Sequence, residues 1–217
     1  MIRVTALRWV PPFAAGLVRD LRVRWALEEA GRAYEERLIG PEEQASKEYR
    51  RLQPFGQVPT YEEDGLVLFE SGAIVLHIAE RSEALMPADT AARARVIAWM
   101  FAALNSIEPS VQQVALVDLF YPNEEWAKLR RPRVVEMVEK RLDELARAMA
   151  GRDYLEERFT AADLLMTTVL RILRHTDLVE RRPELHAYQK RCEARPAFQK
   201  ALADQLAPFA RNAPPQA

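Results

Sequence analysis

A proline sits where a strand should continue, in the run Gln57-Val58-Pro59-Thr60-Tyr61. Proline gives no backbone donor, so a sheet tolerates it only at an edge or a break. X-Pro is also the one bond type whose cis form is easily reached. A cis Pro59 turns the Val58 backbone outward and leaves its N–H and C=O for an extended peptide, as in strand addition. Further on, Glu70-Ser71-Gly72-Ala73 runs from a strand into a helix. Free N–H groups, a hydroxyl and a carboxylate at a helix start can hold both ends of an α-amino acid, the carboxylate on the N–H groups and the ammonium near the acid.

The segments around this pair fix its setting. Ile2, Val4 and Ala6 alternate with Arg3, Thr5 and Leu7, which predicts a strand stopped by Pro11-Pro12. Gly16 allows a tight turn, and from about Leu17 the pattern is helical, with Val23, Ala26, Leu27 and Ala30 on one face and Gly31 as the C-terminal cap. Arg37-Leu38-Ile39 suggests a second, parallel strand. The polar stretch from Gly40 to Leu52 predicts a loop or short irregular helix. Val58 to Glu63 and Leu66 to Glu70 pair across the turn dipeptide Asp64-Gly65. Ser71 to Arg81 is a helix.

Residues 82–90, with Pro87, form a linker between residues 1–81 and residues 91–217, and beyond it the pattern is all helical. The helix from Ala91 continues past Pro109 with a kink. Tyr121-Pro122-Asn123 breaks the chain, and a long amphipathic helix runs from Pro132 to Ala150. Thr160-Ala161-Ala162-Asp163 is a capping box, and the apolar run from Leu164 to Leu173 places its helix in the centre of the domain. Pro183 to Ala194 and Ala197 to Leu206 give two more helices, and Ala213 to Ala217 a disordered tail.

Composition excludes several functions. A formal net charge of −1 gives no support for nucleic-acid binding. The single cysteine, Cys192, rules out an internal disulfide or a CxxC redox pair. His77, His175 and His186 are isolated, so no metal site is expected. The start, Met1-Ile2-Arg3-Val4, does not read as a signal peptide, and no apolar run reaches membrane-spanning length. A cytoplasmic protein is expected.

Gln57-Val58-Pro59 before a hairpin, Glu70-Ser71 opening the next helix and the Thr160 to Asp163 box together resemble the glutathione transferase family, over nearly the whole chain. The resemblance implies an α/β thioredoxin-like N-terminal domain followed by an all-α domain, a homodimer, and reduced glutathione as co-substrate without metal. It implies that the Val58 backbone pairs with the cysteinyl part of glutathione, that Glu70 and Ser71 hold the γ-glutamyl end, and that Gln57 reaches the glycine part. Gln53 stands at a usual asparagine position, and Gln44 and Lys47 lie in a segment that supplies glycine-carboxylate ligands. Trp9, Phe13, Phe101, Asn105 and Tyr121 fall where the family builds its electrophile pocket, and packing roles compete for each. The implied reaction is thiolate attack on a small apolar electrophile. Alternatives are another glutathione-dependent reaction (isomerisation, ether cleavage, dehalogenation) or a non-catalytic glutathione-binding protein.

Catalysis of this kind requires a thiolate. Lowering a thiol from its ordinary pKa of about 8.5 by about two units takes roughly 2.7 kcal/mol. The family supplies a Tyr, Ser or Cys near the first helix, yet Thr5 is the only hydroxyl before Tyr34. Three readings stay open: backbone N–H groups near Gly16 and Leu17 aided by the helix dipole, positive charge from Arg19 or Arg22, or binding without activation. The bland reading makes both arginines solvated helix-face residues.

Overall fold

The computed structural model describes residues 1–214; Pro215, Gln216 and Ala217, the end of the expected tail, lie outside the described residues. By internal contacts the chain divides into two units, residues 1–85 with the segment from Arg195 onward, and residues 86–194.

In the first unit, the inner strand β1 (Ile2–Leu7) of a four-stranded sheet runs parallel to the edge strand β2 (Tyr34–Ile39) and antiparallel to the other inner strand, β3 (Thr60–Glu63), which pairs with the second edge strand, β4 (Leu66–Phe69), in the order β2-β1-β3-β4. Between the first two strands lies α1 (Asp20–Glu29), and after β4 comes α4 (Ser71–Ala79). The polar stretch forms two short helices, α2 (Pro41–Ala45) and α3 (Tyr49–Leu52). Gly31 takes φ +63° just past α1, in the left-handed region a C-terminal cap requires.

Two expectations about α1 are corrected. The helix starts at Asp20 rather than Leu17, because residues 12–17 are spent in consecutive turns: Leu17 N–H donates to the Ala14 carbonyl at 3.0 Å. It is also not amphipathic in the ordinary sense. Every residue from Asp20 to Leu27 is buried, since α4, β1 and the last helix of the chain, α10 (Pro196–Arg211), all pack on it. Trp25 meets Phe198 edge-to-face at 4.8 Å, and Arg195 forks onto Glu29 at 2.5 and 2.7 Å. Within this apolar setting Arg24 donates to Asp20 at 2.7 Å and to Glu36 at 3.0 Å, and Gln205 donates to Asp20 at 2.7 Å.

The second unit holds α5 (Thr90–Phe101), α6 (Glu108–Ala115), α7 (Glu125–Met149), α8 (Ala161–Leu170) and α9 (Pro183–Glu193). The expected kink at Pro109 is a wide π-helical turn over Ala102–Ile107. Proline has no N–H to return to the preceding turn, and the widened turn absorbs that loss. A second wide turn, Leu116–Phe120, ends α6. Pro132 does not start α7 but lies inside it, on its exposed side.

The capping box forms as the sequence predicts. Asp163 Oδ2 accepts from the Thr160 N–H at 2.9 Å, and Thr160 Oγ1 accepts from the Ala162 N–H at 3.3 Å. Asp163 Oδ1 also accepts from the Leu155 N–H at 2.9 Å and the Tyr188 hydroxyl at 3.0 Å. All ten residues of α8 are buried.

Candidate functional site

Two short pieces of the first unit carry the site. The first is the loop into β3. Its Val58–Pro59 peptide bond is cis, and β3 begins only at Thr60. Val58 makes no hydrogen bond among the described residues, so its N–H and C=O are not engaged within them.

This loop is braced from below by residues the sequence did not mark for that role. Tyr49, fully buried on α3, donates its hydroxyl to the Gln57 carbonyl at 2.7 Å. Burial pushes that phenol up to about 12, so it stays a donor. Gln44 donates to the Gly56 carbonyl at 2.6 Å, and the buried Gln53 accepts from the Phe55 N–H at 2.6 Å. Gln44, expected among the ligand-binding candidates, therefore shapes the loop. Gly56 takes φ +64°, and a Cβ there would meet Arg50 and the Gln44 carbonyl at 3.2 Å. Tyr49 gave no sequence signal, because its partner is a backbone carbonyl eight residues away.

The second piece is the entry to α4. Glu70 is its N-cap with φ +68° and ψ 110°, a conformation non-glycine residues rarely hold. Such backbone costs about 1–3 kcal/mol and persists where surrounding structure imposes it. The Glu70 side chain is exposed and makes no cap hydrogen bond, and the first turn of α4 carries no acidic residue. The N-terminus of α4 thus has neither a side-chain cap nor an acid in its first turn, and the Glu70 carboxylate stands beside it at the N-cap. Ser71 is buried at 5% exposure, and its Oγ accepts from Arg22 Nη1 at 3.3 Å. Arg22 is itself 3% exposed, so its placement on a solvated helix face is corrected: α1 is enclosed by its neighbours. Arg19 is exposed.

The structure also tests the hydroxyl and backbone candidates. Thr5 is fully buried, and its Oγ1 accepts from Thr60 Oγ1 at 2.7 Å. Gly16 and Leu17 do not stand at a helix start, and the Leu17 N–H is already used. The remaining candidates divide between the units: Trp9 and Phe13 belong to the first, both partly exposed, and Phe101, Asn105 and Tyr121 to the second. Tyr121 packs on Trp126 with ring centres 5.2 Å apart. Among the described residues no group of three or more His, Cys, Asp or Glu side chains could hold a metal ion, and no helix is long and apolar enough to cross a membrane.

Comparison with known proteins gives this geometry a context. Residues 14–80 match the family model described as glutathione S-transferase, N-terminal domain, and residues 114–196 match that described as glutathione S-transferase, C-terminal domain. Glutathione S-transferase 4 of Zea mays is 30% identical over 206 residues, 89% of this chain and 90% of the relative. A probable maleylacetoacetate isomerase 2 of Drosophila melanogaster is 30% identical over 164 residues, 73% of this chain and 70% of the relative. A glutathione transferase of Burkholderia graminis, solved with two glutathione molecules bound per subunit, superposes with a TM-score of 0.81 at 26% identity, covering 93% of this chain and 87% of that one.

Proposed function

This chain belongs to the glutathione S-transferase family, and we propose that it conjugates the thiolate of reduced glutathione to a small apolar electrophile. The observation that carries this reading is the pair of open recognition elements in one unit: the unengaged Val58 backbone beside Pro59, and the uncompensated start of α4 at Glu70-Ser71. An extended tripeptide with an α-amino acid at one end has the complementary chemistry. Its cysteinyl amide pairs with the Val58 backbone. Its γ-glutamyl carboxylate meets the α4 N–H groups and Ser71, and its ammonium meets Glu70. Gln57, exposed next to Val58, is placed for the glycine end. The exposed aromatic residues Trp9, Phe13, Phe101 and Tyr121, with Asn105, are the candidates for holding the electrophile.

The protein would act as a homodimer in the cytoplasm. Support for the dimer comes from the β4 edge, where Leu66, Val67 and Phe69 are exposed and Phe69 meets the exposed Phe55 at 6.3 Å. Apolar surface of this kind on a sheet edge calls for a cover.

A second reading keeps glutathione and changes the reaction. It is favoured by Thr5, the one hydroxyl before Tyr34, being buried against Thr60, and by a relative named as a probable isomerase. Titration with reduced glutathione near pH 6.5, followed by ultraviolet thiolate absorbance and by calorimetry, separates the readings. A saturating thiolate signal supports conjugation. Heat without thiolate supports binding or a different glutathione reaction. Glu70→Ala and Ser71→Ala should each weaken binding about tenfold or more, the loss of one charged or ligand-facing hydrogen bond. Unchanged affinity in both variants would sink the site assignment.

A further inference from the structure

We propose that Arg22 is a positioning residue that aims the Ser71 hydroxyl proton at the γ-glutamyl α-carboxylate of the bound peptide; this rests on the glutathione reading above. A guanidinium has donors and no acceptor, so in the 3.3 Å contact Ser71 Oγ can only accept. A serine hydroxyl has one proton and two lone pairs. With a lone pair turned to Arg22, the proton points away from α1. Among the described residues nothing accepts it: the contact with Arg22 is the one hydrogen bond recorded for Ser71 Oγ. Ser71 nevertheless keeps 5% of its surface exposed, at the first turn of α4, where an arriving carboxylate would lie.

The charge on Arg22 adds to the geometry. A cationic donor polarises the hydroxyl it binds, which strengthens that hydroxyl as a donor to the next group in the chain. Arg22 is 3% exposed on α1, which packs on α4, so its cation is held in a fixed place behind Ser71. The order of donation then runs from Arg22 to Ser71 to the carboxylate. It also makes Arg22 selective for the one part of the ligand that Ser71 touches.

The test compares two peptides: reduced glutathione, and its analogue in which 4-aminobutyrate replaces the γ-glutamyl residue and so lacks that carboxylate. Calorimetry gives Kd for both on the wild type, Arg22→Met, Arg22→Gln, Ser71→Ala and the double variant Arg22→Met with Ser71→Ala. Arg22→Met should raise the glutathione Kd about tenfold, about 1.4 kcal/mol, and change the analogue's Kd by less than twofold. Arg22→Gln, which keeps an N–H donor, should lose less. The double variant should be no weaker than the weaker single one. Equal losses for the two peptides, additive losses in the double variant, or an Arg22→Met Kd within twofold of wild type would each overturn the proposal. Should Arg22→Met fail to fold, Arg22→Gln and Arg22→Lys decide by the same comparison of peptides. A wild type that binds neither peptide would overturn the glutathione reading itself, whereas tight wild-type binding with indifferent Arg22 variants overturns this proposal alone.

Discussion

Asp163 is a fully buried carboxylate of the second unit, and the cost of removing it can be worked from its contacts. It accepts four hydrogen bonds from buried donors: the Leu155 N–H at 2.9 Å, the Thr160 N–H at 2.9 Å, the Tyr188 hydroxyl at 3.0 Å and the Thr160 hydroxyl at 3.2 Å. Asp163→Ala strands the two backbone N–H groups and the Tyr188 hydroxyl in a place water does not reach, and frees the Thr160 hydroxyl to turn. A stranded buried polar group costs about 1–3 kcal/mol. Asp163 also sits in the first turn of α8, where a negative charge gains about 0.3–1 kcal/mol from the dipole. Against this stands the burial of the carboxyl, which pushes its pKa up from the ordinary value and is relieved on mutation. The balance is a loss of about 4 kcal/mol, a large share of the roughly 5–15 kcal/mol that holds a typical domain. Thr160→Ala removes the capping contact to the Ala162 N–H and the hydroxyl's bond to Asp163, leaves the backbone bonds to Asp163 in place, and should cost about 1 kcal/mol. Urea unfolding followed by far-ultraviolet circular dichroism measures both. The reasoning fails if Asp163→Ala loses less than about 2 kcal/mol, or if Thr160→Ala loses as much as Asp163→Ala.

Two further predictions concern the first unit. The pKa of His77 is lowered, first by burial and then by Arg81, with Arg32 opposing the imidazolium and Glu63 and Glu80 favouring it. The unfolded chain therefore takes up the proton more readily than the folded one, so stability is full above about pH 6.5 and falls as pH drops through that value. The slope cannot exceed about 1.4 kcal/mol per pH unit for one proton, and His77→Phe, which keeps an aromatic edge against Tyr61, should flatten it between pH 5.5 and 7; an unchanged slope would refute the assignment. Gly56→Ala forces a Cβ against Arg50 and the Gln44 carbonyl at φ +64°, and should lower stability by about 1–2 kcal/mol. It should also weaken glutathione binding through the adjoining Gln57-Val58, whereas Gly65→Ala, strained at φ +84° but with nothing within 4 Å, should cost stability and leave Kd alone. Equal effects of the two glycine variants on Kd, read by calorimetry beside thermal melts, would contradict this account of the loop.

What the sequence could show here follows from how local each cause is. The Thr160–Asp163 box acts over three residues, and so does the Asp64-Gly65 turn, so both are legible in the chain. Pro59 is legible for the same reason, since a missing N–H is a property of the residue itself. The role of Arg22 is not legible. Its position between Leu21 and Val23 says nothing of the neighbours that enclose α1, and its partner Ser71 lies 49 residues away. The same enclosure hides Arg24 and Asp20, which by composition alone look like surface charges. The start of α7 escaped for another reason: Pro132 reads as a helix opener, but an exposed proline early in a 25-residue helix can be outweighed by the packing of the rest.

The two helix N-termini of the first unit differ in a way that bears on where ligand charge is recognised. At α1 the first residue is Asp20, fully buried and held by Arg24 and Gln205. Burial pushes its carboxyl up and Arg24 draws it back, and either way that terminus is filled by a side chain of the protein itself. Its dipole is therefore not free to stabilise a sulfur anion, and the dipole account of thiolate formation loses its footing. At α4 the first turn is Ser71-Gly72-Ala73, with no acid of its own, and the N-cap carboxylate of Glu70 turns outward on a strained backbone. On the glutathione reading an amino-acid carboxylate would meet this helix start and its ammonium the Glu70 carboxylate. That reading makes recognition of the peptide and activation of its sulfur separable tasks. The first task falls to Val58, Glu70 and Ser71, whereas Thr5, the only hydroxyl before Tyr34, is already engaged by Thr60 and is not placed to serve the second.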